Sequence, residues 1–160
     1  METTSDILIR PATLEDAEFL VSGNTNMALE TEGRALDTHT LRAGVCAVFD
    51  DPARGFYLIA EIDGRPAGQM MITYEWSDWR NGAFWWIQSV YTIRESRGRG
   101  VFKALYSRVE SLARESGGVC GLRLYVEAHN QRAQAAYERC GMREAVYCMF
   151  EVDYPLSSAD

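Results

Sequence analysis

The chain has 160 residues, 47% hydrophobic and 24% charged, with a formal net charge of −7. That is the length and composition of one ordinary soluble domain, residues 1–160, with room for a sizeable core. The acidic balance argues against nucleic acid and anionic membranes as partners; no run approaches a membrane helix in length, and residues 1–10 carry no signal-peptide pattern. Cys46, Cys120, Cys140 and Cys148 have no C-x-x-C spacing, and only His39 and His129 could join them. No metal site is therefore expected, and reduced thiols in a cytoplasmic setting are.

In chain order, residues 7–10 read as a short strand stopped by Pro11. Thr13 can cap the next helix with Asp16 at its third position, and Leu14, Ala17, Leu20, Val21, Met27 and Ala28 carry helical spacing up to Gly33. Asp37 or Thr38 starts a second helix with Leu41, Val45, Val48 and Phe49 on one face, closed by Pro52. A strand at 56–62 turns at Asp63-Gly64 into a strand at 66–76, and Asn81-Gly82 signals a second hairpin with positive φ at both positions, leading to a strand at 84–92. Val101, Leu105, Val109 and Leu112 form a helix stripe ended by Gly117-Gly118. Leu122, Leu124 and Val126 alternate as a strand, Asn130 opens another helix, and residues 146–152 read as a last strand. The order predicts a mixed α/β or α+β sheet, mostly antiparallel, with helices covering it and one strand–helix–strand crossover whose two strands are parallel.

Two stretches carry chemistry. Arg97-Gly98-Arg99-Gly100-Val101-Phe102-Lys103 lies between a strand and a helix. First-turn N–H groups of a helix lack intrahelical partners and sit at the positive dipole end, so such a turn can hold an anion; the glycines let backbone approach closely, and Arg97, Arg99 and Lys103 add charge. The second stretch is 130–142, where Asn130 suits an N-cap, Gly141 a C′ position, and Ala133, Ala136, Tyr137 and Cys140 share one stripe. Taken alone, it reads equally as an amphipathic helix with a core tyrosine.

Together the two stretches resemble the GNAT acyltransferase superfamily, whose members move an acyl group from coenzyme A to an amine. The family's first motif, Q/R-x-x-G-x-G/A, is met by Arg97, Gly98, Arg99, Gly100 and Val101 and departs at Phe102, where Gly or Ala is usual. A bulky residue there either crowds the pyrophosphate or turns into the core on the far side of the helix. The second motif, N-x-x-A-x-x-x-Y-e-x-x-G-f/m, is met by Asn130, Ala133, Tyr137, Glu138, Gly141 and Met142. The resemblance implies a GNAT-like fold whose parallel strands splay apart, with acetyl-CoA as acyl donor. Its pantetheine arm would lie in the gap beside Val90, Tyr91 and Thr92, with Tyr137 as the acid protonating the departing thiolate.

Acyl transfer to an amine needs a neutral nucleophile, a polarised carbonyl and a proton for the thiolate. A thiol has a pKa of about 8.5 and a phenol one of about 10, so a phenol can donate as charge develops. A backbone N–H at 84–92, Val90 for instance, would polarise the carbonyl. An alkylamine is only about one part in a thousand neutral at pH 7, so a proton acceptor is expected. Glu75, Asp78, Glu30 and Glu32 are the candidates; Glu75 would act as base, and Glu30, Glu32 and Glu75 would border a small-molecule amine site. Each has the alternative of a solvated surface carboxylate.

Arg94 and Arg132 are further phosphate partners in prospect. Trp76, Trp79, Trp85 and Trp86 crowd one hairpin and could line the acceptor pocket, form a homodimer contact or cover the sheet beneath a helix; Trp85 and Trp86 must face opposite sides. Two rival readings remain. In a dinucleotide module Glu127 would bind ribose, but Lys103 holds the third-glycine position. The other is a catalytically silent acyl-CoA sensor, favoured by Phe102 and opposed by Tyr137.

Overall fold

The computed structural model describes residues 6–154, so the ends of the expected 1–160 domain lie outside the described residues. The elements are β1 (Ile7–Pro11), α1 (Ala17–Glu32), α2 (Thr38–Asp50), β2 (Phe56–Ile62), β3 (Arg65–Ser77), β4 (Gly82–Thr92), α3 (Val101–Glu115), β5 (Val119–Arg123) and α4 (Gln131–Arg139). The sheet follows chain order, β1-β2-β3-β4-β5. Its first three pairings are antiparallel and β4–β5 is parallel, joined by α3 as the expected crossover.

Local chemistry fixes these pairings. Asp63 (φ 52°) and Gly64 (φ 72°) are both left-handed, a two-residue turn that sets Ile62 opposite Arg65. The second hairpin differs from expectation. Residues 78–81 form a four-residue loop in which Asn81 alone is left-handed (φ 46°), and Gly82 already pairs with Ser77 as part of β4. Gly82 serves proximity: a Cβ there would lie 3.1 Å from the Gly118 carbonyl, where the chain enters β5.

Alternation along the strands then builds two cores. Leu58, Ala60 and Ile62 join Met70, Ile72 and Ile87 against Val101, Leu105, Tyr106 and Val109 of α3. Tyr57 and Ile59, pointing the other way, meet Leu20 and Val21 of α1 and Val45 and Val48 of α2. Helices thus cover both faces.

One expected element is absent. Residues 146–152 form no strand; the stretch is irregular and exposed, because no neighbouring strand of the described chain lies alongside to pair with it.

At the sheet's first edge, Arg10 donates to both carboxylate oxygens of Asp16 (2.8 Å each) and to Glu61 (2.7 Å), while the Thr13 N–H bonds Asp16 (2.8 Å). The Arg10 guanidinium holds the buried Asp16 carboxyl below its usual value, with a further contribution from the Thr13 backbone, against the opposing effect of burial. A carboxylate whose pKa is lower folded than unfolded stabilises above its unfolded pKa and loses that contribution as pH falls through the folded value. Asp16→Asn is therefore expected to cost about 1–3 kcal/mol at pH 7, toward the low end because water reaches Arg10. The gap to the parent should shrink below about pH 4, as urea titrations at both pH values will measure.

Candidate active site

The β4–β5 ladder ends at Trp86 opposite Arg123, yet β4 continues to Thr92. The expected strand through Leu124 and Val126 stops at Arg123, since a strand persists only where it has a partner. On its other side β4 is bulged: Met71 faces Gln88 and Gln69 faces Tyr91, leaving Ser89 and Val90 opposite Met70. Ser89 takes φ 50°, a strained value for a residue with a side chain. Ser89 and Val90 thus belong neither to the regular β3 ladder nor to a β5 pairing.

A buried polar chain, which the sequence reading missed, supports the bulge. Gln69 is fully buried and its Nε2 donates to the Ser89 carbonyl (3.1 Å) and to Asn24 Oδ1 (3.3 Å). Asn24, itself buried in α1, is also bonded to the Tyr57 hydroxyl, whose pKa burial raises. Gly23 makes room for this amide: a Cβ there would stand 2.1 Å from Gln69 Oε1, which has no hydrogen-bond partner. A polar residue in the apolar run Ala67–Ile72 was the available signal.

After Thr92 comes a 3-10 turn, Arg94–Ser96, and then the glycine turn. Gly98 (φ 78°) and Gly100 (φ 88°) are left-handed, and a Cβ at either would meet open space. The first backbone bond into α3 is Ala104 N–H to the Gly100 carbonyl (3.0 Å), so the N–H groups of Val101, Phe102 and Lys103 precede the helical ladder. Val101 is buried in the α3 core and Lys103 is exposed. Phe102 is partly buried against the α3 core. Its ring packs toward α4, 5.3 Å centroid to centroid and edge-on to Tyr137, and 6.1 Å from Tyr106.

Arg97 donates to the Thr92 carbonyl (3.1 Å) and to Glu30 (2.6 Å); Arg94 (3.1 Å) and the Tyr91 hydroxyl (3.0 Å) bond the same carboxylate. Arg97, foremost, draws the Glu30 pKa down. Glu30 is thus gathered into the basic turn. A cavity of about 240 Å³, lined by Asn26, Glu30, Tyr91, Ile93, Arg94 and Glu95, adjoins this cluster. Another, of about 420 Å³, lies between Arg99 and Ser96 of the turn and the β2–β3 hairpin.

α4 is capped as its sequence suggests. Asn130 Oδ1 accepts from the Ala133 N–H (3.1 Å), and Gly141 (φ 85°) closes a Schellman ending in which Met142 N–H bonds the Tyr137 carbonyl (3.1 Å) and Gly141 N–H that of Glu138 (2.9 Å). Tyr137 is half-buried, and burial raises its pKa. Arg132 is exposed in the first turn.

The remaining carboxylates are dispersed. Glu75, opposite Phe84 toward the hairpin end of β3, accepts from Arg123 (2.5 Å), whose guanidinium also lies over the Phe84 ring. Glu32 is exposed at the end of α1. Trp76 and Trp79 are exposed, whereas Trp85 packs on the α3 core and Trp86 tilts against Tyr125.

Residues 22–142 match the family described as Acetyltransferase (GNAT) family. The chain belongs to the GNAT acetyltransferase family. It is 41% identical to a possible acetyltransferase from Clostridium difficile 630, with a TM-score of 0.87 over 94% of this chain and 99% of that one. It shares the fold of a predicted acetyltransferase from Clostridium acetobutylicum, solved with acetyl-CoA, at 19% identity and a TM-score of 0.75 over 92% and 96% of the two chains. A mycothiol acetyltransferase from Corynebacterium aurimucosum is 30% identical over 129 residues; the match covers 79% of this chain and 42% of that longer protein.

Gly23→Ala should displace the Gln69 amide from Ser89 and strand buried polar groups. The expected loss is about 1–3 kcal/mol in urea unfolding. If Gln69 holds the bulge, amide exchange at Ser89 and Val90 should accelerate beyond the global change.

Proposed function

We propose that the protein transfers an acetyl group from acetyl-CoA to a primary amine, by direct attack in a ternary complex, with Tyr137 as the general acid. The observation that carries this reading is the Phe102–Tyr137 contact, because it joins the helix opened by the glycine turn to the helix of the second motif. The residues suit the donor. Gly98 and Gly100 keep the approach to the α3 N-terminus free of Cβ atoms, and Arg97, Arg99 and Lys103 supply charge for the phosphates. Val90, Tyr91 and Thr92 offer backbone beside the parted strands for a pantetheine arm, and Asn130 fixes the start of α4. The donor brings the thioester; the chain binds it, orients it and handles the protons.

In this reading an N–H of the Ser89–Val90 bulge polarises the thioester carbonyl. The neutral amine nitrogen bonds to that carbon, the C–S bond breaks, and sulfur takes the Tyr137 proton; the nitrogen gives up its surplus proton to water, from which the phenolate regains one. A raised phenol pKa keeps that proton in place throughout the neutral range. The Phe102–Tyr137 contact supports the enzyme reading over a catalytically silent sensor, because it places the bulky ring beside the proposed acid.

A cationic acceptor has less support. Glu30 already holds Arg94 and Arg97, and Glu75 holds Arg123. Taking a proton would cost Glu75 its ion pair, so service as base requires Arg123 to move. Glu32 and the net charge of −7 remain in favour of a cation.

Tyr137→Phe should keep the edge contact with Phe102 and lower turnover at least tenfold, within the usual ~10²–10⁴ range for general acid catalysis, with acetyl-CoA affinity little changed. Unchanged turnover where chemistry limits the rate would reject the assignment. A thermal-shift comparison of acetyl-CoA, NAD and ATP tests the donor, and stabilisation by acetyl-CoA alone is expected. Glu32→Gln and Glu75→Gln should raise the KM of a cationic amine while leaving that of acetyl-CoA unchanged. If both variants match the parent across pH, the acceptor is neutral or acidic.

A further inference from the structure

Local costs to stability converge on one carbonyl oxygen, that of Ser89. Ser89 holds a left-handed φ of 50°, which a residue with a Cβ adopts only under restraint. Gly23 sits in the middle of α1, where a glycine weakens a helix. Gln69 is fully buried, and its Oε1 has no hydrogen-bond partner. A buried amide with an unpaired oxygen is worse for stability than an apolar side chain of the same shape. Methionine, of similar length and without the amide, would fill the site. Stability alone therefore gives no reason for a glutamine. What the glutamine adds is its Nε2, which donates to the Ser89 carbonyl (3.1 Å) and is steadied by a second bond to Asn24 Oδ1 (3.3 Å).

That bond fixes the direction of a second group. The Ser89 carbonyl and the Val90 N–H belong to one planar peptide unit, trans like every other in the described chain. The two therefore point in opposite directions. Gln69 lies on β3, so the carbonyl is held to the β3 side of β4. The Val90 N–H then faces the other side, where β5 has already parted after Trp86 and Arg123. The regular ladder does not fix this unit, because Ser89 and Val90 stand together opposite Met70 in the bulge. A carbonyl that accepts a hydrogen bond also polarises its peptide group, which makes the attached N–H a stronger donor.

We propose that Gln69 is a positioning residue for acyl transfer: by holding the Ser89 carbonyl toward α1 and β3, it aims the Val90 N–H into the gap between β4 and β5 and strengthens it as the donor to the thioester oxygen. The role rests on the bulge being the place where the acetyl carbonyl is polarised. As the amine adds, negative charge collects on that oxygen, and an N–H already aimed at it needs no reorganisation. Gln69 itself touches neither donor nor acceptor; it acts through the Ser89–Val90 peptide. Gly23 belongs to the same device, because a Cβ there would stand 2.7 Å from Gln69 Cδ and push the amide off its carbonyl.

Infrared difference spectra of acetyl-CoA isotope-labelled at the acetyl carbonyl carbon test this without any acceptor. Bound to the parent, the thioester stretch should lie below that of free acetyl-CoA. Bound to Gln69→Met it should return toward the free value, with affinity for acetyl-CoA little changed. With an amine that the parent acetylates, Gln69→Met should lower kcat roughly tenfold or more while the KM of acetyl-CoA stays constant. The loss should fall short of the ~10²–10³ seen when an oxyanion donor is removed outright, since the Val90 N–H remains. An equal shift in parent and variant, or an unchanged kcat where chemistry limits the rate, overturns the role of Gln69 and leaves the bulge as the polarising site. A parent that binds acetyl-CoA with no shift overturns both, and a parent that does not bind it overturns the proposed donor as well. Should Gln69→Met fail to fold, Gly23→Ala displaces the same amide from the helix side. A weakened shift there supports the role, and a spectrum like the parent's overturns it.

Discussion

The parting of β4 from β5 after Trp86 and Arg123 is the constraint on which the rest of the molecule depends. A parallel pair that stayed together to Thr92 would consume the backbone groups of both strands and leave no gap. The parting needs a cause on each side. On β4 the cause is the bulge, where two residues oppose Met70 and the strand bends. The bulge stores strain at Ser89, and the protein holds it by a hydrogen bond from a fully buried glutamine that glycine alone leaves room for on the facing helix. So a polar network between α1 and the sheet shapes the edge against which a donor would lie.

Phe102 acts on the opposite wall. At the helix start a small residue would remove the ring contact with Tyr137; the phenyl ring supplies it edge-on, a geometry aromatic pairs favour. The departure from the family's first motif is therefore a packing choice between α3 and α4. The backbone N–H groups of the α3 first turn are left untouched, since they point along the helix axis while the side chain leaves sideways.

Legibility followed the range of the interactions. Asp63-Gly64, the Asn130 cap and the Gly141 ending were readable because each is decided within six residues. Asn81-Gly82 marked the hairpin correctly but not its loop, because Gly82 lies in β4 beside Gly118, far along the chain, and only Asn81 is left-handed. The mixed sheet with its parallel pair followed from element order, but the end of β5 did not, since alternation at Leu122, Leu124 and Val126 cannot say whether a partner lies alongside. The same limit applies to 146–152: the residues have the pattern of a strand, and pairing is a property of neighbours. Gln69 and Asn24 carried no signal as isolated polar residues, and the pairing of Glu30 with Arg97, across 67 positions, is invisible in sequence.

That pairing bears on how the basic turn can exchange partners. Glu30 gathers Arg94, Arg97 and the Tyr91 hydroxyl around one carboxylate, which keeps the turn ordered while neutralising part of its charge. Exposed ion pairs of this kind contribute little, often below about 1 kcal/mol, because water screens them and two long side chains must be fixed. A multiply charged phosphate at the α3 N-terminus would meet backbone N–H groups and a helix dipole that Glu30 cannot reach. Arg97 could therefore turn from carboxylate to phosphate at small cost. Its guanidinium is already held against the Thr92 carbonyl and lies over the Tyr91 ring, so little further ordering would be needed. Glu30 thus holds both arginines beside the glycine turn, and its carboxylate is already occupied by three donors.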